Sequence, residues 1–156
     1  MSERPLTRTE IALCETVFGQ AIDYRLVRIF NRKWWPFQPR RITMAPDGNL
    51  WFHPKSGLFR ADFAQAELHL QGLFIHEMVH VWQHQSGVFL PLARHPFCRY
   101  DYELVIDKPF GSYNVEQQAE IVRHIFLLRN GAQLQNGLLL AELESLDPFS
   151  PAPVMA

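Results

Sequence analysis

Residues 62–87 read DFAQAELHLQGLFIHEMVHVWQHQSG, and this stretch decides the fold. It contains no proline and keeps a helical period until Gly87, which makes it the longest regular element in the chain. Asp62 can cap it, and Gly72 is tolerated inside it at a cost of about 1 kcal/mol. Leu73, Phe74, Ile75, Met78, Val79 and Val81 make the helix apolar nearly all round, which predicts burial. Inside it stand His76, Glu77 and His80. Histidines at i and i+4 share one helix face, so both imidazoles can turn toward one cation. Glu77 lies roughly 100° round the helix, within reach of a water at that cation. Burying such groups is costly unless they are paired or ligated. The plainer reading is a hydrogen-bonded core pair of histidines with a helical salt bridge.

A catalytic zinc takes three protein ligands and leaves a fourth position open. The best source of a third is a later helix, expected from Asn114, its cap, to Gly131, its terminator. Glu116 and Glu120 lie one turn apart on it, and Ala119, Ile121, Val122, Ile125, Phe126 and Leu127 make the rest apolar. We assign Glu116 as the ligand and Glu120 as the acceptor for the free ring N–H of a ligating histidine. The spacing alone leaves the reverse assignment open. His84 reads as a residue on the rim of the site. His69 is two turns before His76, too far to share an ion, and His53, His95 and His124 have no motif around them. The expected chemistry is peptide hydrolysis, with zinc lowering the pKa of its water and Glu77 as general base. Tyr100, Tyr102 and Tyr113 are equivalent candidates for stabilising the oxyanion.

Other segments are shorter. Residues 8–18 predict a helix with Thr9 as cap and Gly19 as stop. YRLVRIF at 24–30 reads as a strand, and 41–45 and 49–53 as two more around a Pro46-Asp47-Gly48-Asn49 turn. Trp34-Trp35-Pro36 and Pro39 interrupt regular structure between them. YELVI at 102–106 suggests a short strand and 138–145 a last helical turn or two. The expected architecture is α+β: a small antiparallel sheet packed on the long helix, crossed by the helix carrying the third ligand. We expect one domain over 1–147 and a proline-rich tail over 148–156.

Composition narrows the function. The chain has 156 residues, 47% hydrophobic and 20% charged, with a formal net charge of −1. That suits one globular domain and argues against a disordered tail or a nucleic-acid binder. No window reaches the ~18 apolar residues of a membrane span. Cys14 and Cys98 lack C-x-x-C spacing and read as buried free thiols of a reducing compartment, a single bridge being the alternative. MSERPLTRTE lacks the apolar run of a signal peptide, so we expect a cytoplasmic protein, exported only by a specialised secretion machine.

His-Glu-x-x-His followed by a glutamate one helix later, with another four residues on, resembles the gluzincin metallopeptidase pattern. Phe18-Gly19, VRIF at 27–30, APDGNLWF at 45–52 and HEMVHVWQHQSG at 76–87 extend the match. Together they resemble the small metallopeptidase-like domain found with extracellular contractile injection systems. YNVEQQAEIV at 113–122 is similar to proteins related to the Vgr and Rhs secretion components. The resemblance covers roughly residues 10–130. It implies a minimal zincin-like domain acting on peptides or proteins, delivered as an effector or used in effector processing. It carries His76 and His80 over as zinc ligands, Glu77 as base and Glu116 as third ligand, with secretion-system components as partners. Two other readings remain: a catalytically inactive zinc-binding structural or adaptor module of such a system, and a zinc-dependent amidase acting on cell-wall peptides.

Overall fold

A computed structural model describes residues 3–90 and 99–150. Its α+β architecture agrees with the expected class. In chain order it comprises β1 (Glu3–Pro5), α1 (Arg8–Phe18), β2 (Arg28–Phe30), β3 (Leu50–Trp51), α2 (Leu68–Gln85), α3 (Val115–Arg129) and α4 (Leu140–Leu143), with short 3₁₀ turns between them.

The first helix is capped two residues before the expected position. Thr7 closes a capping box: its hydroxyl accepts from the Glu10 N–H at 3.0 Å, and its own N–H donates to Glu10 Oε1 at 2.9 Å. Thr9 instead donates its hydroxyl to Asp62. Gly19 ends the helix at φ 55°, as expected. Glu10 is fully buried and binds three segments together. It pairs with Arg4 through both oxygens, at 2.8 and 2.9 Å, and accepts the Phe63 N–H at 2.9 Å.

The sheet differs from the expected antiparallel one. β2 is central and pairs antiparallel with β1 but parallel with β3. Residues 24–30 do not form one strand, because Asp23 caps a 3₁₀ turn over Tyr24–Leu26 first. The turn at Pro46–Asn49 closes only one antiparallel bridge, Met44 to Trp51. Residues 102–106 are not a strand.

The expected 62–87 helix is divided. Asp62 caps a separate 3₁₀ turn at Phe63–Gln65, and α2 itself begins at Leu68. Phe52, Phe63 and Phe74 stack in sequence, each pair with ring centroids 5.2 Å apart, and join the sheet to α2. On the other side α2 packs on α3, where Ala119, Val122 and Phe126 are buried against it. Gly72 lies at this contact: a Cβ there would stand 3.0 Å from Leu127 Cδ2. Asn114 caps α3 as expected, with Gln117 completing a capping box. Tyr113, Ile121, Ile125 and Leu143 form a smaller cluster on the far side of α3.

Phe149, in the segment read as a tail, sets its ring edge-on against Phe18 and Trp82. Cys14 is a buried free thiol whose pKa burial pushes up. Cys98 and His95 lie outside the described residues. Among those described, no helix is long and apolar enough to cross a membrane.

Candidate metal centre

One face of α2 presents His76 and His80, their ring centroids 5.1 Å apart and nearly perpendicular. The first turn of α3 brings Glu116 across from them. Its Oε1 lies 2.5 Å from His80 Nε2 and 3.5 Å from His76 Nε2. All three side chains are buried, and a ligand atom from each falls within 4.8 Å of the others.

The far nitrogens are held elsewhere. His76 Nδ1 meets Glu120 Oε2 at 2.9 Å. His80 Nδ1 meets Gln83 Oε1 at 2.8 Å. Gln83 is itself fixed: its amide donates to the Val115 carbonyl at 3.1 Å and to Gln118 Oε1 at 2.9 Å. Gln118 in turn donates to the Tyr113 carbonyl at 2.9 Å. With both amide hydrogens used, Gln83 Oε1 can only accept, so His80 carries its proton on Nδ1. Its Nε2 then turns a lone pair toward Glu116 Oε1. Two acceptors at that distance need a proton or a cation between them. The donor set, two imidazoles and a carboxylate, fits a divalent ion such as zinc.

Electrostatics point the same way. Burial disfavours a charged His76, but its hydrogen bonds to Glu116 and Glu120 outweigh that and lift its pKa to about 9. Burial acts against a charged Glu120 as well, and the His76 hydrogen bond wins there too, lowering the carboxyl pKa.

A cleft of about 150 Å³ opens beside these groups, lined by His76, Glu77, Glu120, Arg41, Thr43 and Tyr100 among others. Glu77 is buried, only 5% exposed, in the lining of this cleft. Tyr100 stacks on His76 with centroids 5.9 Å apart, so of the three tyrosines it alone lines the cleft. Tyr102 is engaged with His124 Nδ1 at 2.6 Å, and Tyr113 donates to the Glu103 carbonyl at 3.3 Å. His84 is apart from the cleft. It packs on the Pro46–Asn49 turn, where a Cβ on Gly48 would stand 2.7 Å from its Cδ2.

No family model matches the chain. It is 43% identical over 136 residues to the type VI secretion system spike protein VgrG2b of Pseudomonas aeruginosa, an alignment covering 81% of this chain. It spans only 13% of that protein's length. Its structure matches the effector domain of Pseudomonas aeruginosa VgrG2b with a TM-score of 0.78 and 39% identity, over 91% of this chain and 80% of that domain. The chain belongs to the VgrG2b effector-domain family.

The expected kinship with Vgr-related secretion proteins therefore holds. In this VgrG2b-like domain, the structure brings together His76, Glu77, His80, Glu116 and Glu120, all named from sequence, and adds Gln83 and Gln118, which were missed. One signal was present for Gln83: it stands seven residues after His76 and three after His80, on the face the two histidines share. Gln118 carried none, since its role exists only once α3 lies across α2.

Proposed function

We propose that this chain is a zinc-dependent metallopeptidase, with His76, His80 and Glu116 as the zinc ligands and Glu77 as general base. The observation that carries this reading is the convergence of three buried donors beside a carboxylate in an open cleft. When bound, zinc supplies a Lewis acid that makes water nucleophilic near neutral pH. Glu77 takes the proton from the attacking water and passes it to the leaving amine. Glu120 and Gln83 hold the two imidazoles through Nδ1, which would leave each Nε2 available as a ligand on the side where Glu116 lies. Tyr100 lines the cleft, which supports it as the donor to a developing oxyanion.

Kinship with a type VI spike protein supports export through a contractile secretion machine, with secretion-system components as partners and a protein or peptide as substrate. The same kinship supports the second reading, a non-catalytic module carried on a spike. Metal analysis and cleavage of a peptide library separate the two. One zinc per chain together with cleavage that is lost in Glu77→Gln supports the enzyme. Zinc without any cleavage, in parent and variant alike, supports the module.

A further inference from the structure

We propose that the loop over residues 32–42 is a docking surface for an anionic lipid bilayer. The sequence here is RKWWPFQPRRI. Arg32 and Lys33 precede an aromatic tip, Trp34-Trp35-Pro36-Phe37, and Arg40 and Arg41 follow it. From residue 24 to residue 46 there are six arginines and lysines and no carboxylate, in a chain whose formal net charge is −1. Positive charge is therefore gathered locally.

The tip faces solvent. Phe37 is 78% exposed, Trp35 44%, Ile42 40% and Trp34 39%. Large apolar side chains grouped at the surface mark a contact site more often than they occur by chance. The loop is also built to present them. Gln38, buried at its base, accepts the Trp34 N–H at 2.8 Å and donates to the Ile42 carbonyl at 2.8 Å and the Trp51 carbonyl at 3.0 Å. Both legs of the loop are thereby tied to the sheet. Lys33 closes the tip by donating to the Pro36 carbonyl at 3.1 Å.

No described carboxylate is in ion-pair contact with Arg32, Lys33, Arg40 or Arg41. Around His53 the charges of Lys33, Arg40 and Lys55 add to partial loss of water in lowering its pKa, so Lys55 extends the same field. Cations unneutralised by the protein, set around interfacial aromatics, match the layered chemistry of an anionic membrane. The cations meet lipid phosphates, and tryptophan and phenylalanine enter the headgroup boundary. Single-stranded nucleic acid suits this surface less well. Trp35 and Phe37 meet edge-to-face at 71°, which leaves a wedge in place of a flat stacking platform, and Ile42 has no ring to stack.

The test is flotation of the 156-residue protein with vesicles of equal phosphatidylglycerol and phosphatidylcholine, against phosphatidylcholine alone. Binding should be confined to the anionic vesicles, weaken with salt and shift tryptophan emission to the blue. Trp35→Ser with Phe37→Ser should lower affinity at least about tenfold. Lys33→Gln with Arg40→Gln should lower it about thirty-fold, each cation near the surface being worth roughly a factor of five. All four positions are exposed, and unchanged melting curves establish that both variants fold. Equal binding to both vesicles, no binding, or wild-type affinity in both variants would overturn the proposal. So would tighter binding to a thymidine oligonucleotide than to the anionic vesicles.

Discussion

Gln83 accepts the Nδ1 proton of His80 at 2.8 Å and is itself anchored to the backbone of α3 through the Val115 carbonyl. Through Gln83, α3 thus orients the His80 imidazole from its Nδ1 side, while Glu116 of the same helix faces its Nε2. Replacing Gln83 by Leu removes the acceptor and leaves buried polar atoms on both helices without it. Zinc affinity, measured by chelator competition, should fall about 10- to 100-fold. Stability of the metal-free protein should fall by about 1–3 kcal/mol.

Glu116 and Glu120 differ in what they touch. Glu116 faces both Nε2 atoms and Glu120 the outer Nδ1 of His76. Glu116→Ala should therefore lose bound zinc outright, while Glu120→Ala should retain it with affinity weakened about 10- to 100-fold. Elemental analysis after gel filtration distinguishes them. Full zinc content in Glu116→Ala would transfer the ligand role to Glu120.

Glu77→Gln keeps the side chain's size and removes its basicity. Zinc content should match the parent, and peptide cleavage should drop by about 10²- to 10⁴-fold. Parent-level cleavage in this variant would remove Glu77 from the mechanism.

His76 sets a pH dependence for the metal-free protein. Its folded pKa, about 9, lies above the ordinary 6.5. The folded state therefore binds the proton more tightly than the unfolded chain does. The resulting stability is fully present below pH 6.5 and is lost as pH rises through about 9. Melting temperatures in chelator should fall across that window, and metal affinity should rise across it as the proton leaves. A midpoint that rises from pH 6.5 to 9 in chelator would contradict the assigned ion pairs.

Glu10→Ala tests the fold away from the site. It would strand the Arg4 guanidinium, whose side chain is 18% exposed, and remove the acceptor of the Phe63 N–H. Chemical denaturation should show a loss of about 3–5 kcal/mol.

The parts legible in the sequence are those set by local chemistry. The period of Leu68–Gln85 and the His76/His80 spacing follow from 3.6 residues per turn. Asn114 followed by Gln117 is a capping pair that reads directly. The same logic covers Thr7 and Glu10, where Thr9 drew the reading because it stands nearer the apolar run. Strand pairing was not legible. β1 is Glu-Arg-Pro and β3 only Leu-Trp, so neither has a pattern long enough to show a period. Their pairing depends on residues 31–49 travelling round to lay Leu50 beside Ile29, which no local propensity encodes. At the site, Glu116 and Glu120 could be picked out from spacing. Their separate duties could not, because these depend on how α3 crosses α2.

Gly48 brings the Pro46–Asn49 turn against His84 of α2. A Cβ at residue 48 would press on the exposed His84 ring of α2, and the turn there takes φ 85°, a conformation that suits glycine. Through Met44 and Trp51 that turn also carries the Arg41–Thr43 wall. One wall of the cleft therefore rests, through this turn, on the helix that bears both histidines. Tyr100 lines the same cleft stacked on His76, so both of these contacts converge on α2.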